Sequence, residues 1–94
     1  MNTNIYAIEI QTPFGQELAD LTLSDTKCTV SIERGSSDFI TYNLSENNFN
    51  GIIETDIPFE CKLYFNCDID NDIIIGTIMI DDFTSVNLSG RVKV

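Results

Sequence analysis

Apolar and polar side chains alternate with a period of two along most of this chain, and the alternation restarts after nearly every cluster of turn-forming residues. From Thr84 onward, Val86, Leu88, Gly90, Val92 and Val94 take one face, while Ser85, Asn87, Ser89, Arg91 and Lys93 take the other. Successive side chains on a β-strand point to opposite sides, so this segment reads as a strand with one dry and one wet face.

The same pattern defines seven earlier strands. Ile5 to Gln11 places Tyr6, Ile8 and Ile10 on one face, and Thr12-Pro13-Phe14-Gly15 ends it with a proline-preset, glycine-permitted turn. Glu17 to Ser24 turns Ala19, Leu21 and Leu23 inward, and Lys27 to Glu33 does the same with Cys28, Val30 and Ile32. Arg34-Gly35-Ser36-Ser37 reads as a loop. Asp38 to Ser45 then presents Ile40, Tyr42 and Leu44, and a fifth, less regular strand runs from Phe49 to Thr55. Pro58 lacks an N–H and marks a corner. Beyond it Phe59, Cys61, Leu63, Phe65 and Cys67 face inward against Glu60, Lys62, Tyr64 and Asn66. Asp68 to Asp72 reads as a hairpin turn, and Ile73 to Ile80 is the seventh strand, with Gly76 inside it.

Eight strands at roughly 8–12-residue spacing with short connections predict an all-β domain, an antiparallel up-and-down meander. Closure into a small barrel removes the edges that invite aggregation, which favours a barrel over a two-sheet sandwich. A chain of 94 residues forms a single domain, 1–94. No helical period, repeat or linker interrupts it.

Composition narrows the function. With 15 acidic against 5 basic residues, the net charge is −10. That excess opposes direct contact with nucleic-acid backbones or anionic membranes. It leaves a basic protein partner, mimicry of nucleic acid, or solubility. No run of about 18 apolar residues could span a membrane as a helix. Met1-Asn2-Thr3-Asn4 lacks the basic start of a signal peptide. Cys28, Cys61 and Cys67 are an odd count without metal-type spacing, and all fall on inward faces, as expected of small core residues in a reducing cytoplasm.

Chemistry-bearing motifs are sparse. The chain has no histidine, which removes the commonest general base and the histidine-dependent nucleophile couples. Asp68-Ile69-Asp70-Asn71-Asp72 spaces carboxylates like the start of an EF-hand loop, but Ile73 and Met79 stand where glycine and glutamate are needed. An Asx-rich turn is the simpler reading. No catalytic residue, metal ligand or cofactor is assigned. Tyr6 and Tyr42 are the ligand-binding candidates, because two inward phenols in a small barrel can either complete a core or orient a bound molecule. Arg91 and Lys93 are expected to pair with acids across strands. Ile52-Ile53 and Ile73-Ile74-Ile75 are apolar on both faces, so their outer sides need a cover, either a second copy in a homodimer or a loop.

Several of these segments resemble a family of small, largely uncharacterised bacterial β-barrel domains, met alone or appended to larger enzymes. The resemblance rests on Thr12-Pro13-Phe14-Gly15-Gln16 after the first strand, on Pro58 ahead of Leu63 and Phe65, on Asp70 to Ile78 as a turn–strand–glycine unit, and on Phe83 to Arg91 as a closing strand. Ser31 stands where the family pattern has a glycine. The resemblance implies a lipocalin-like barrel and supplies no catalytic residues. The expectation is therefore a binding or accessory module that holds a small apolar ligand in a small cavity. The alternatives are an acidic protein-interaction module and a cofactor-free barrel enzyme.

Overall fold

The computed structural model describes residues 3–55, 60–81 and 83–93. Every regular element in it is a strand: β1 (Asn4–Thr12), β2 (Gly15–Leu23), β3 (Thr29–Ile32), β4 (Gly35–Asp38), β5 (Thr41–Leu44), β6 (Asn48–Thr55), β7 (Cys61–Asp70), β8 (Ile73–Ile80) and β9 (Thr84–Val92). They form one antiparallel sheet in the order β4-β3-β2-β1-β9-β8-β7-β6-β5. The first and last strands pair along Tyr6↔Val92, Ile8↔Gly90 and Ile10↔Leu88. The sheet is strongly curled and barrel-like, a single sheet rather than a sandwich. Pro58, the start of the following strand at Phe59, and the outermost positions Met1, Asn2, Asp82 and Val94 lie outside the described residues, as do Asp56 and Ile57.

Nine strands replace the expected eight because the path from Gly35 to Leu44 is divided. Its first half, β4, pairs with β3, from Ile32↔Gly35 to Thr29↔Asp38. Its second half, β5, pairs with β6. The two edge strands of the sheet are therefore consecutive in the chain, separated by only Phe39 and Ile40. At this seam the Phe39 amide donates to the Cys28 carbonyl at 3.0 Å, and the Ile40 amide donates to the Ile52 carbonyl at 2.9 Å. Ile52 is also the partner of Thr41, so two residues oppose one, the arrangement of a β-bulge.

The bulge corrects two readings of the sequence. Gly35-Ser36-Ser37 is strand, not loop. Ile40, expected inward, is 55% exposed, while Phe39 is buried in its place. An extra residue inverts the alternation across the seam, so Phe39 faces in before it, and Tyr42 and Leu44 turn toward the core after it. The Phe39 ring packs edge-on against Phe49 (centroids 5.0 Å, 88°) and Phe65 (5.0 Å, 73°). Around this triad the core contains Ile8, Leu21, Ile53, Ile74 and Leu88, with Ile10, Val30, Ile32 and Leu63 packed against it.

Curvature elsewhere depends on inward glycines. A Cβ on Gly76 would strike the Asn66 carbonyl oxygen and come within 2.6 Å of the Cys67 Cα. One on Gly90 would strike the Ala7 carbonyl oxygen and lie 2.8 Å from the Ile8 Cα. Neighbouring backbone crosses these two positions so closely that only a residue without a side chain fits. Ser31 instead lies mid-strand in β3, opposite Asp20 and Ser36.

Two stability outcomes follow from this packing. Phe39→Ala should cost about 3–5 kcal/mol in denaturant unfolding, as for other buried phenylalanines. Phe14→Ala and Phe83→Ala, at residues 99% and 89% exposed, should stay within about 0.5 kcal/mol. Gly76→Ala and Gly90→Ala should each lose about 1–3 kcal/mol through overpacking against backbone, read as a fall in Tm of about 4–8 °C per kcal/mol.

Candidate functional site

Tyr6 lies near the start of β1 and Tyr42 is the second residue of β5, from which its hydroxyl reaches the β2–β3 loop. Tyr6 is buried. Burial raises its pKa and the Asp72 carboxylate adds to the rise, while the Asn4 side chain acts in the opposite direction. Tyr42 is half-buried; its hydroxyl donates to the Asp25 carbonyl at 3.2 Å, and its ring lies 6.4 Å from Phe49. The contact ties β5 to the β2–β3 loop, across the side of β5 that no strand pairs. The Tyr42 hydroxyl thus has its partner within the fold.

Two concavities among the described residues open on the sheet, and neither is lined by Tyr6 or Tyr42. One, about 440 Å³, runs over β1, β2 and β3, lined by Ile8 and Ala19 together with Leu18, Glu9, Asp20 and Glu33. Lys93 reaches its rim and pairs with Asp20 at 3.0 Å.

The Asp68–Asp72 segment is mostly strand. β7 continues through Asp70, and a two-residue loop of Asn71 and Asp72 leads directly into β8. Asn71 carries the positive φ of 57° that this loop requires, a conformation asparagine tolerates well. The Asp72 carbonyl accepts the Val92 amide at 2.8 Å, locking the loop to the end of β9. Asp68 and Asp70 point to the outer face one strand-repeat apart, so their carboxylates do not wrap a common point. No group of three or more acidic or thiol side chains is gathered for a metal ion among the described residues.

The outer face of β5 to β9 is chemically banded. Cross-strand register places Asn43, Asn50, Asn66, Thr77 and Asn87 in one row. The Asn43 amide donates to Asn50 at 3.4 Å, Asn50 to Asn48 at 3.1 Å, and Asn48 to the Cys67 carbonyl at 2.8 Å. Beside that row lies an apolar one, Ile52–Tyr64–Met79. Along β8 itself Ile73, Ile75 and Met79 are 44%, 54% and 45% exposed. The sequence identified the two-faced β8 but not this banding, which depends on register between strands distant along the chain.

The three cysteines are buried and unpaired. Burial pushes every thiol up, with Cys67 reaching about 12, and the carboxylates of Asp25, Asp81 and Asp68 act in the same direction on Cys28, Cys61 and Cys67 respectively. Thiols held protonated at neutral pH are poor nucleophiles and poor metal ligands. Set against protein-family models, curated protein sequences and solved structures, the chain gives no match.

The raised Cys67 pKa sets an alkaline limit to stability. The folded state keeps a proton that the unfolded chain releases near its ordinary value of 9.0. The thiol's contribution is therefore fully present below about pH 9 and lost as the pH climbs toward 12, at about 1.4 kcal/mol per pH unit. In urea unfolding followed across that window, Cys67→Ala should be less stable at pH 7 yet lose less of its remaining stability by pH 11 or so. An alkaline slope equal to that of the parent protein would show that Cys67 does not carry the effect.

Proposed function

We propose that the protein is a non-catalytic interaction module whose acidic outer surface engages a basic protein partner. The observation that carries this reading is the division between a filled interior and a charged exterior. The inside is occupied by the Phe39–Phe49–Phe65 cluster and its aliphatic neighbours, with Tyr6 buried among them and the Tyr42 hydroxyl already donating to the Asp25 carbonyl. The outside carries the acidic excess. Three ion pairs occur among the described residues, Lys27–Asp38, Arg34–Glu17 and Lys93–Asp20, so three of the five basic side chains are engaged with the protein's own acids.

All three pairs join exposed side chains and are worth at most about 1 kcal/mol each. They reduce the repulsion among the acids locally without cancelling the net charge of −10. A surface of this kind accelerates encounter with a cationic partner and rejects anionic ones. The motifs resembling the small bacterial barrel family fit the same reading, since such barrels occur as accessory domains. Three free thiols suit a reducing, cytoplasmic setting.

Calorimetric titration with a lysine-rich peptide tests the proposal. Affinity should fall steeply between about 0.01 M and 0.1 M salt, as the screening length shrinks from about 30 Å to about 10 Å. An affinity that does not change with salt removes the electrostatic basis of the reading.

A further inference from the structure

Strand β8 is apolar on both faces, although only one is needed for the core. Ile74 and Ile78 are buried, while Ile73, Ile75 and Met79 stand in line on the outer side at 44–54% exposure. Its neighbour β9 shows the ordinary pattern, with Ser85, Asn87 and Ser89 turned outward. Ile73 and Ile75 are alternate residues about 7 Å apart along the strand, and Thr77 of the polar row separates them from Met79. Met79 belongs to the second apolar row, which runs sideways through Tyr64 to Ile52. Two adjacent exposed isoleucines, with that row beyond the polar one, exceed the scattered apolar residues of an ordinary wet face.

The charge beside the strip selects its occupant. Asp70 is the cross-strand partner of Ile73, and Asp68 of Ile75, so two carboxylates flank the isoleucines directly on the β7 side. Asp72 follows in the adjoining loop. On the β9 side the partners are Arg91 and Ser89. A second copy stacked face to face would press two bodies of net charge −10 together. An anionic lipid surface meets the same repulsion. A cationic amphipathic segment satisfies both halves of the site, since its apolar side chains cover β8 and its lysines or arginines lie over β7.

We propose that the outer face of β8, with the Asp68–Asp70 edge of β7, is the docking site for a cationic amphipathic segment of a partner protein. This rests on the acidic-interaction reading and adds a location and a requirement for apolar anchors. Two isoleucines at the centre act as the anchors, and the carboxylates fix which side of the segment carries the basic residues.

The test uses the whole protein and three short synthetic peptides: alternating leucine and lysine, alternating leucine and glutamine, and alternating serine and lysine. Affinity is measured for each, and amide shifts are mapped by NMR. The leucine–lysine peptide should bind most tightly, with shifts concentrated between Asp68 and Met79. Ile73→Thr with Ile75→Thr keeps β-branched residues in the strand and should weaken that peptide on the order of tenfold or more. Asp68→Asn with Asp70→Asn should weaken it severalfold and flatten its salt dependence. Far-ultraviolet circular dichroism and Tm confirm that each variant is folded. If the isoleucine variant binds the leucine–lysine peptide as well as the parent, the docking site is wrong, while salt-sensitive binding of the serine–lysine peptide would leave the broader reading standing. Failure of both lysine peptides to bind overturns both. Dimerisation on the β8 face, seen by light scattering at high salt and abolished by the isoleucine changes, assigns the strip to a second copy and overturns the docking proposal.

Discussion

The seam at Phe39 and Ile40 is the constraint on which the rest of the structure depends. The sheet curls into a half-barrel, and both of its edge strands belong to a single stretch, Gly35 to Leu44. That stretch leaves β3 and joins β6 by way of a bulge in which Ile40 and Thr41 oppose Ile52. Bulges sharpen twist and redirect side chains, which is how a short strand can serve two neighbours on opposite sides. The bulge also turns Phe39 inward, where its ring meets Phe49 from β6 and Phe65 from β7. Backbone closure and core packing are therefore a single event. The chain has few other means of fastening this corner: β4 and β5 have only four residues each, and the three cysteines form no disulfide.

Curling the sheet around such a core has a consequence for function. Inward positions are consumed by aromatic and aliphatic side chains or, at Gly76 and Gly90, are too close to a neighbouring strand to carry any side chain. The interior thus works as packing, and the chemical variety of the sheet lies on its outer face. There the register of β5 to β9 sorts amides into one row, Ile52, Tyr64 and Met79 into another, and places the aspartates of β7 opposite the isoleucines of β8. None of these rows is continuous in sequence. Each exists because antiparallel pairing brings residues from successive strands side by side.

That dependence explains what could be read from the sequence. Period-two alternation located every strand except β4, and β8 with its actual limits, since one buried face fixes a strand strongly. The turn at Pro13-Phe14 was legible because its chemistry is local. The hairpin turn expected over Asp68 to Asp72 takes only Asn71 and Asp72, since pairing with β8 continues β7 through Asp70. Gly35 to Asp38 was not legible, because Gly-Ser-Ser-Asp has a loop's composition and is held as strand by its pairing with β3. The inward turn of Phe39 was equally hidden. Alternation carried through from Tyr42 and Leu44 points to Ile40, and nothing in Asp38-Phe39-Ile40-Thr41 announces an extra residue. The candidate ligand residues Tyr6 and Tyr42 were correctly placed on the inward side, but the hydrogen bond from Tyr42 to Asp25 depends on the β2–β3 loop, whose position a strand pattern does not specify.

The bulge and the strip on β8 are linked through Ile52. Its carbonyl accepts the Ile40 amide at the seam. Its side chain, on the outer face, forms the far end of the row that passes through Tyr64 to Met79. Ile40, displaced outward by the bulge, stands exposed beside this row. The same local distortion that links the two edge strands thus moves an isoleucine from the core side to the surface and extends the Ile52–Tyr64–Met79 row toward the edge strand. The bulge alone could carry a polar residue at this position, because it is made by backbone and is indifferent to that side chain. Isoleucines at both 40 and 52 give the outer face an apolar row, beside the polar one, that the core does not explain.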